Sequence, residues 1–193
     1  SYPEDSQTFP IRFDRYRYYL VLFVAIFVIP FTINDYWVNS IFLPFLIYAI
    51  AAIGLNILVG YCGQVSLGTG GFMAVGAYAC YKLMTAFPEV SMLIHVLIAG
   101  LITAGVGVMF GLPSLRIKGF YLAVATLAAQ FFLVWLFNRV PWFYNYSASG
   151  QISAPERTVF GIEVTGPNTE AWASYLFCLA FVIFSAVIAR NLT

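Results

Sequence analysis

Six apolar runs, each close to the length of a membrane span, dominate this sequence at roughly 18–33, 41–60, 71–87, 91–111, 119–138 and 171–189. A helix needs about 20 residues to cross the hydrocarbon core of a bilayer. The first and third runs are short by that measure. Tyr16, Tyr18 and Tyr19 at the first, and Tyr78, Tyr81 and Lys82 at the third, extend them by interfacial anchoring and snorkelling. Hydrophobic residues make up 62% of the chain and charged residues 9%. A soluble domain carries about 25% charge, and this chain has too little to cover its surface in water. The predicted fold is therefore all-α, a polytopic transmembrane helical bundle of about six spans.

The charges orient that bundle. Arg12, Arg15 and Arg17 precede the first run, and alternate crossing puts Arg116, Lys118 and Arg190 on the same side. Asp35, Glu89, Glu156, Glu163 and Glu170 fall on the other side, where the loops carry only Arg139 and Arg157. Basic residues mark the cytoplasmic side. Residues 1–17 are then a cytoplasmic N-terminal segment, 18–193 the membrane domain, and 139–170 an external loop. Trp37, Trp142 and Trp172 fit an outer aromatic belt. The polar N-terminus lacks the pattern of a cleaved signal peptide, so the first run is expected to be retained. Net charge is +1, which gives no nucleic-acid footprint.

One segment carries most of the local information: Gly60-Tyr61-Cys62-Gly63-Gln64-Val65-Ser66-Leu67-Gly68-Thr69-Gly70-Gly71. Five glycines among polar residues disfavour a continuous helix. The segment is either a helix break within the bundle or a cytoplasmic turn. A break would expose helix-end N–H groups to a polar or anionic solute. The polar residues in and beside the runs make Asn56, Gly63, Gln64, Ser66, Thr69 and Gln130 the candidate path residues.

Gly100, Gly105, Gly107 and Gly111 lie in the fourth run, and Gly107-xxx-Gly111 has the spacing of close helix approach. Packing within one subunit is the favoured reading, and a subunit interface is the alternative. His95 is the only histidine, and it is expected to be hydrogen-bonded or interfacial. Cys62, Cys80 and Cys178 read as small packing residues. Arg116 and Lys118 read as topology markers, with anionic lipid as an alternative partner. No run contains a carboxylate, which argues against an ion-coupled centre. No phosphate-binding loop, catalytic constellation or metal spacing occurs, and no cofactor is expected.

Two ordered motifs carry a resemblance. Gly54-Leu55-Asn56, Gly60-Tyr61-Cys62-Gly63-Gln64-Val65-Ser66-Leu67-Gly68, Phe72 and Gly76-Ala77-Tyr78 form the first. Gly111-Leu112-Pro113-Ser114-Leu115-Arg116-Ile117-Lys118-Gly119, then Tyr121-Leu122-Ala123 and Thr126-Leu127, form the second. Together they resemble the LivM-type permease of branched-chain amino acid ABC importers, over roughly 50–165. The chain departs from the family at Thr69-Gly70-Gly71, at Ala128-Ala129-Gln130 and at Tyr146–Gly150. The resemblance implies a permease subunit in the cell inner membrane. It implies a second permease subunit, cytoplasmic ATPase subunits and a periplasmic substrate-binding protein as partners, and ATP hydrolysis outside this chain. It also implies that this is the N-terminal part of a longer permease, with the ATPase-coupling segment beyond residue 193. The external loop would then meet the binding protein, with Glu156, Arg157 and Glu163 as candidate contacts. Branched-chain amino acids or a related small polar solute are the expected cargo. The competing readings are a self-sufficient passive channel or secondary transporter, and a membrane-embedded enzyme or scaffold.

Overall fold

The computed structural model describes residues 12–32, 34–115, 121–149, 152–159, 161–166 and 169–192. The expectations for residues 1–11 and for Arg116, Lys118 and Gly119 lie outside the described residues. The chain forms six long helices among the described residues: α1 (12–32), α2 (Asp35–Tyr61), α3 (Thr69–Ala86), α4 (Met92–Leu115), α5 (Tyr121–Arg139) and α6 (Ala171–Leu192). Each coincides with one of the six apolar runs. Four of them, α2, α4, α5 and α6, are long and apolar enough to cross a membrane unaided. The apolar part of α1, Tyr19–Val28, is shorter. α3 has 18 residues diluted by glycines, Lys82 and threonines. These are the two runs whose length was already marginal.

α1 and α2 each contain a widened π-helical turn, at Val24–Val28 and Val38–Phe42. Each lies just before a proline, Pro30 and Pro44. A helical proline lacks the N–H and presses on the carbonyl four residues earlier, here Ile26 and Ser40. Widening the preceding turn relieves that clash without ending the helix. A third π-helical turn, Ile57–Tyr61, ends α2 at the glycine-rich segment.

Three apolar clusters hold the helices. Val38 and Leu46 of α2 pack with Ala171, Tyr175 and Leu179 of α6, against Ala25, Ile26 and Ile29 of α1. The Tyr175 hydroxyl donates to the Ala25 carbonyl at 3.1 Å. Val75 of α3 packs with Leu133 and Phe137 of α5. Met84 and Met92, at the α3–α4 turn, pack with Val164, Val159 and Phe177. Cys80 and Cys178 lie against these clusters, as expected of packing residues. Cys62 is exposed at the end of α2 and does not pack.

Large apolar side chains cover the outward helix faces, such as Leu97 and Leu101 on α4, Phe131 and Trp135 on α5, and Phe184 and Val187 on α6. Leu101 is 73% exposed. Continuous apolar surface of this kind is compatible with lipid or another protein, not with water. The chain is a multi-pass membrane protein of all-α architecture.

The polar loop after α5 is compact. Pro141–Tyr144 forms a single turn of 3₁₀ helix, and Asn145 and Tyr146 both have positive φ. A short antiparallel hairpin follows: β1 (Arg157–Val159) and β2 (Ile162–Thr165), with Thr158 opposite Glu163 and a bulge beside Arg157. Val159 and Ile162 are the pair nearest the tip of this hairpin. The Ser174 hydroxyl donates to the Val164 carbonyl at 2.8 Å and fastens it to α6.

Candidate functional site at the helix break

The chain leaves helix between Cys62 and Gly68 and re-enters it at Thr69. Helix register gives the depth of this break. A Cβ at Gly76 of α3 would lie 3.2 Å from the Thr103 hydroxyl of α4, so these residues are level. Thr69 is seven residues from Gly76 and is therefore level with residue 110 of α4. α4 continues five residues further, to Leu115. On α5, Gly68 faces Thr126, five residues in from Tyr121. Five residues rise about 8 Å in a helix. By both measures the break is set about 8 Å inside the described ends of α4 and α5.

Glycine makes that inset position accessible in two ways. Gly63 has φ +64°, a left-handed conformation that L side chains avoid. Gly68 and Gly71 instead permit contact. A Cβ at Gly68 would sit 2.7 Å from the Thr126 carbonyl oxygen, and one at Gly71 would sit 2.9 Å from the Gln130 Cα. The backbone of the break and of the first turn of α3 therefore lies directly on α5.

Hydrogen bonds complete the turn. The Gln64 N–H donates to the Leu58 carbonyl at 3.1 Å, and the Phe72 N–H donates to the Gly68 carbonyl at 3.1 Å. The Leu67 N–H donates to the Thr126 Oγ1 at 3.0 Å. The Gly68 N–H donates to the Ser66 Oγ at 3.4 Å. The Thr126 hydroxyl in turn donates to α5 carbonyls, Leu122 at 2.9 Å or Ala123 at 3.1 Å. The N-cap residue of α3 is Gly68, which offers no side-chain acceptor to the first turn. The helix dipole favours negative charge there.

A cavity of about 650 Å³ opens beside the break. Gln64, Ser66 and Thr69 supply a narrow polar edge, joined by Thr103 and Thr126. The rest is apolar, and includes Ala51, Gly54 and Leu58 of α2, Phe72 and Gly76 of α3, and Ala104, Gly107 and Gly111 of α4. Binding sites for small molecules have this character, a mainly apolar wall of about 300–1,000 Å³ with a few convergent polar groups.

Of the six path residues expected from sequence, Gln64, Ser66 and Thr69 line this cavity. Gly63 shapes the turn from its exposed side. Gln130 backs the first turn of α3, with its amide 3.5 Å from a Cβ placed at Gly70. Asn56 lies on an exposed face of α2, outside the cavity wall. Thr126 and Thr103 escaped sequence reasoning. Thr126 stood in the second motif, but its role depends on the break reaching across to α5.

Two other expectations are corrected. Gly100, Gly105, Gly107 and Gly111 do not bring helices of the described chain together, because a Cβ at any of them meets nothing within 4 Å. Gly107 and Gly111 instead leave room in the cavity. His95 is 1% exposed, and neither ring nitrogen has a hydrogen-bond partner among the described residues. It faces the bundle interior from the first turn of α4.

At the opposite end of α3, the hairpin carries the loop candidates. Arg157 is half-buried, and its Nη2 donates to the Met84 carbonyl at 2.5 Å. It thereby clamps the hairpin onto the last turn of α3. Glu156 and Glu163 are exposed and, with Glu89 and Ser91, rim a polar depression of about 330 Å³. Among the described residues, no cluster of three His, Cys, Asp or Glu side chains is placed to hold a metal.

The structure is thus a multi-pass helical bundle with an inset helix break and a cavity of about 650 Å³ beside it. Residues 38–192 match the family described as the permease component of branched-chain amino acid transport systems. The chain belongs to that family. It is 34% identical over 132 residues to LivM, the high-affinity branched-chain amino acid transport system permease protein of Salmonella typhimurium, covering 67% of this chain and 30% of that protein. Its identity to LivM of Escherichia coli is 35% over 132 residues, with the same shares covered. The matched stretch thus spans about 30% of the length of these relatives. No solved structure matches the chain.

Proposed function

We propose that this chain is part of a permease subunit of an ATP-binding cassette importer, and that the cavity at the break lies on the path of its cargo. The observation that carries this reading is the inset break, whose Gln64, Ser66 and Thr69 edge an otherwise apolar cavity. A branched-chain amino acid has the same division, one charged end and one aliphatic end. Its carboxylate suits the N-terminus of α3, where the N-cap is a glycine, and its side chain suits the wall of Leu58, Phe72 and Gly107.

The relatives are named as branched-chain amino acid permeases, which supports that cargo or a related small polar solute. The partners in this reading are a second permease subunit, cytoplasmic ATPase subunits that hydrolyse ATP, and a periplasmic substrate-binding protein, with membrane lipid around the bundle. The chain sits in the cell inner membrane with its N-terminus cytoplasmic. The break end then faces the cytoplasm, and the hairpin end meets the binding protein through Glu156 and Glu163.

The test is uptake by the full-length protein reconstituted with its gene neighbours in proteoliposomes. Leucine, isoleucine or valine should accumulate only with ATP and the binding protein. Uptake that persists without either would sink the reading. Cysteines at Ser149 and Ser114 should label from outside and inside respectively, and labelling of both from the same face would sink the topology.

A further inference from the structure

A second cavity, of about 770 Å³, lies at the hairpin end between α3, α4, α5 and the 3₁₀ turn. It differs in kind from the cavity at the break. Tyr78 stacks on Phe137 at 4.4 Å between ring centroids, and Phe143 meets Phe137 edge-on at 4.9 Å. Trp142 closes the group, edge-on to Phe143 at 5.1 Å.

Lys82 is the cation on the cavity wall. Its ammonium sits 4.1 Å from the Trp142 ring centroid and donates to the Asn145 Oδ1. The Asn145 amide donates to the Tyr81 hydroxyl at 3.1 Å, which orients that acceptor. Asn145 holds a left-handed φ of 51°, so the 3₁₀ turn is built to present it. An ammonium carries three donors, and one is committed to Asn145. Among the described residues no carboxylate lines this cavity. The site therefore offers a positive charge, with two donors that have no partner among the described residues, beside an aromatic and aliphatic wall.

The two cavities are neighbours. Phe72 lines the first, Val75, Val106 and Leu133 line the second, and all four belong to one packed cluster. That cluster is the partition between them. Phe72 and Lys82 are ten residues apart on α3, about 15 Å along its axis.

We propose that the hairpin-end cavity is a second solute site, which takes a carboxylate on Lys82 and an aliphatic side chain against Tyr78 and Phe137 before the solute crosses to the break. This rests on the reading of the chain as an amino acid permease. A small amphipathic acid matches both features, whereas an uncharged solute would leave the Lys82 donors unused.

The experiment uses the full-length permease in its assembled complex, in nanodiscs, with photoactivatable leucine as the probe and mass spectrometry to map the labelled peptides. Labelling is expected on the segments holding Tyr78 and Trp142. Free leucine should compete, and leucinamide, which lacks the carboxylate, should compete poorly. Lys82→Gln should reduce labelling about tenfold, the worth of one charge-assisted hydrogen bond, and Lys82→Arg should keep it. Ile102→Trp fills the cavity without touching Lys82 and should also block labelling. Labelling confined to the break cavity, or unchanged in Lys82→Gln, would overturn the site while ATP-driven leucine uptake by the wild type still upheld the permease reading. Labelling that leucine does not displace, but that phosphatidylglycerol suppresses relative to phosphatidylcholine, would make it a lipid site and overturn the proposal. A wild-type complex that neither binds nor imports any amino acid would overturn both readings.

Discussion

The two ends of α3 solve the same packing problem with opposite materials. At the hairpin end, side-chain bulk joins α3 to α5: Tyr78 on Phe137, with Phe143 against both. At the break end the join depends on missing side chains, because Gly68 and Gly71 let the α3 backbone touch α5. In lipid, helices gain little from apolar burial against one another, since the tails are equally apolar. Contact must come from close fit. Bulky rings fit where the 3₁₀ turn shapes a socket, and bare backbone fits where the chain must turn inside the bundle. The comparison makes opposite demands on mutation: truncation should damage the hairpin end, and addition should damage the break end.

The largest expected effect is truncation at the hairpin end. Phe137 is buried and touches both Tyr78 and Phe143. Phe137→Ala should destabilise the bundle by about 3 kcal/mol, the low end of the range for a buried Phe because lipid supplies no hydrophobic term. Thermal melting of the purified full-length protein measures it. A loss below about 1 kcal/mol would mean that the aromatic group is ornamental to packing.

Addition at the break end comes next. Gly68→Ala and Gly71→Ala each drive a Cβ into backbone atoms of α5, at 2.7 and 2.9 Å. Overpacking of this kind costs about 1–3 kcal/mol. Both should lower the melting temperature, while Gly54→Ala and Gly100→Ala, where a Cβ meets nothing within 4 Å, should not. Equal behaviour of the four would erase the contrast between packing glycines and spacing glycines.

A smaller effect is expected from Thr126→Val, which keeps the shape of the side chain. It removes the acceptor of the Leu67 N–H and leaves that donor without its partner. The cost is about 1–2 kcal/mol, and Thr126→Ser should restore most of it. Proteolysis or hydrogen exchange at 62–68 reads the effect locally. Protection unchanged in Thr126→Val would show that the break does not depend on α5 for its hydrogen bonds.

The helices were legible in sequence, and so was the existence of the break, because both are properties of consecutive residues. Apolar runs of spanning length fix where helices lie, and the glycine-rich segment marks where one is interrupted, although Gly60, Gly70 and Gly71 are themselves helical and only Gly63 and Gly68 lie in the break. The site was only half legible. Residue polarity singled out Asn56, yet the cavity-facing residues of α2 are Ala51, Gly54, Leu55 and Leu58. That is the spacing of one helix face, and Asn56 falls about 160° from Gly54 around a helix of 3.6 residues per turn. Which face looks inward is decided by neighbours, not by the helix. The same limit hid Thr126 and misassigned the α4 glycines, since spacing that permits close approach does not supply a partner. The aromatic cavity was the least legible, because Tyr78, Phe137 and Phe143 come from three separate segments.

The smallest expected effect is also the most informative about function. Gly54 and Gly107 line the break cavity from facing helices, and a Cβ at either meets only open space. Adding side chain there should leave folding intact and consume cavity volume. Gly107→Val replaces a hydrogen with an isopropyl group at the apolar wall, opposite the polar edge of Gln64, Ser66 and Thr69. If an aliphatic solute lies there, the larger one should suffer first. One methylene in an apolar pocket is worth about 1–3 kcal/mol, so leucine uptake should fall at least about tenfold relative to valine uptake. The measurement is the ratio of kcat/KM for the two solutes in proteoliposomes, with melting temperature as the control. A proportional loss for both solutes would place the solute elsewhere and reduce the cavity to a gap that the rest of the permease fills. A changed ratio with unchanged stability would show that the spacing glycines set the size of the cargo, while the packing glycines at Gly68 and Gly71 set only the fold.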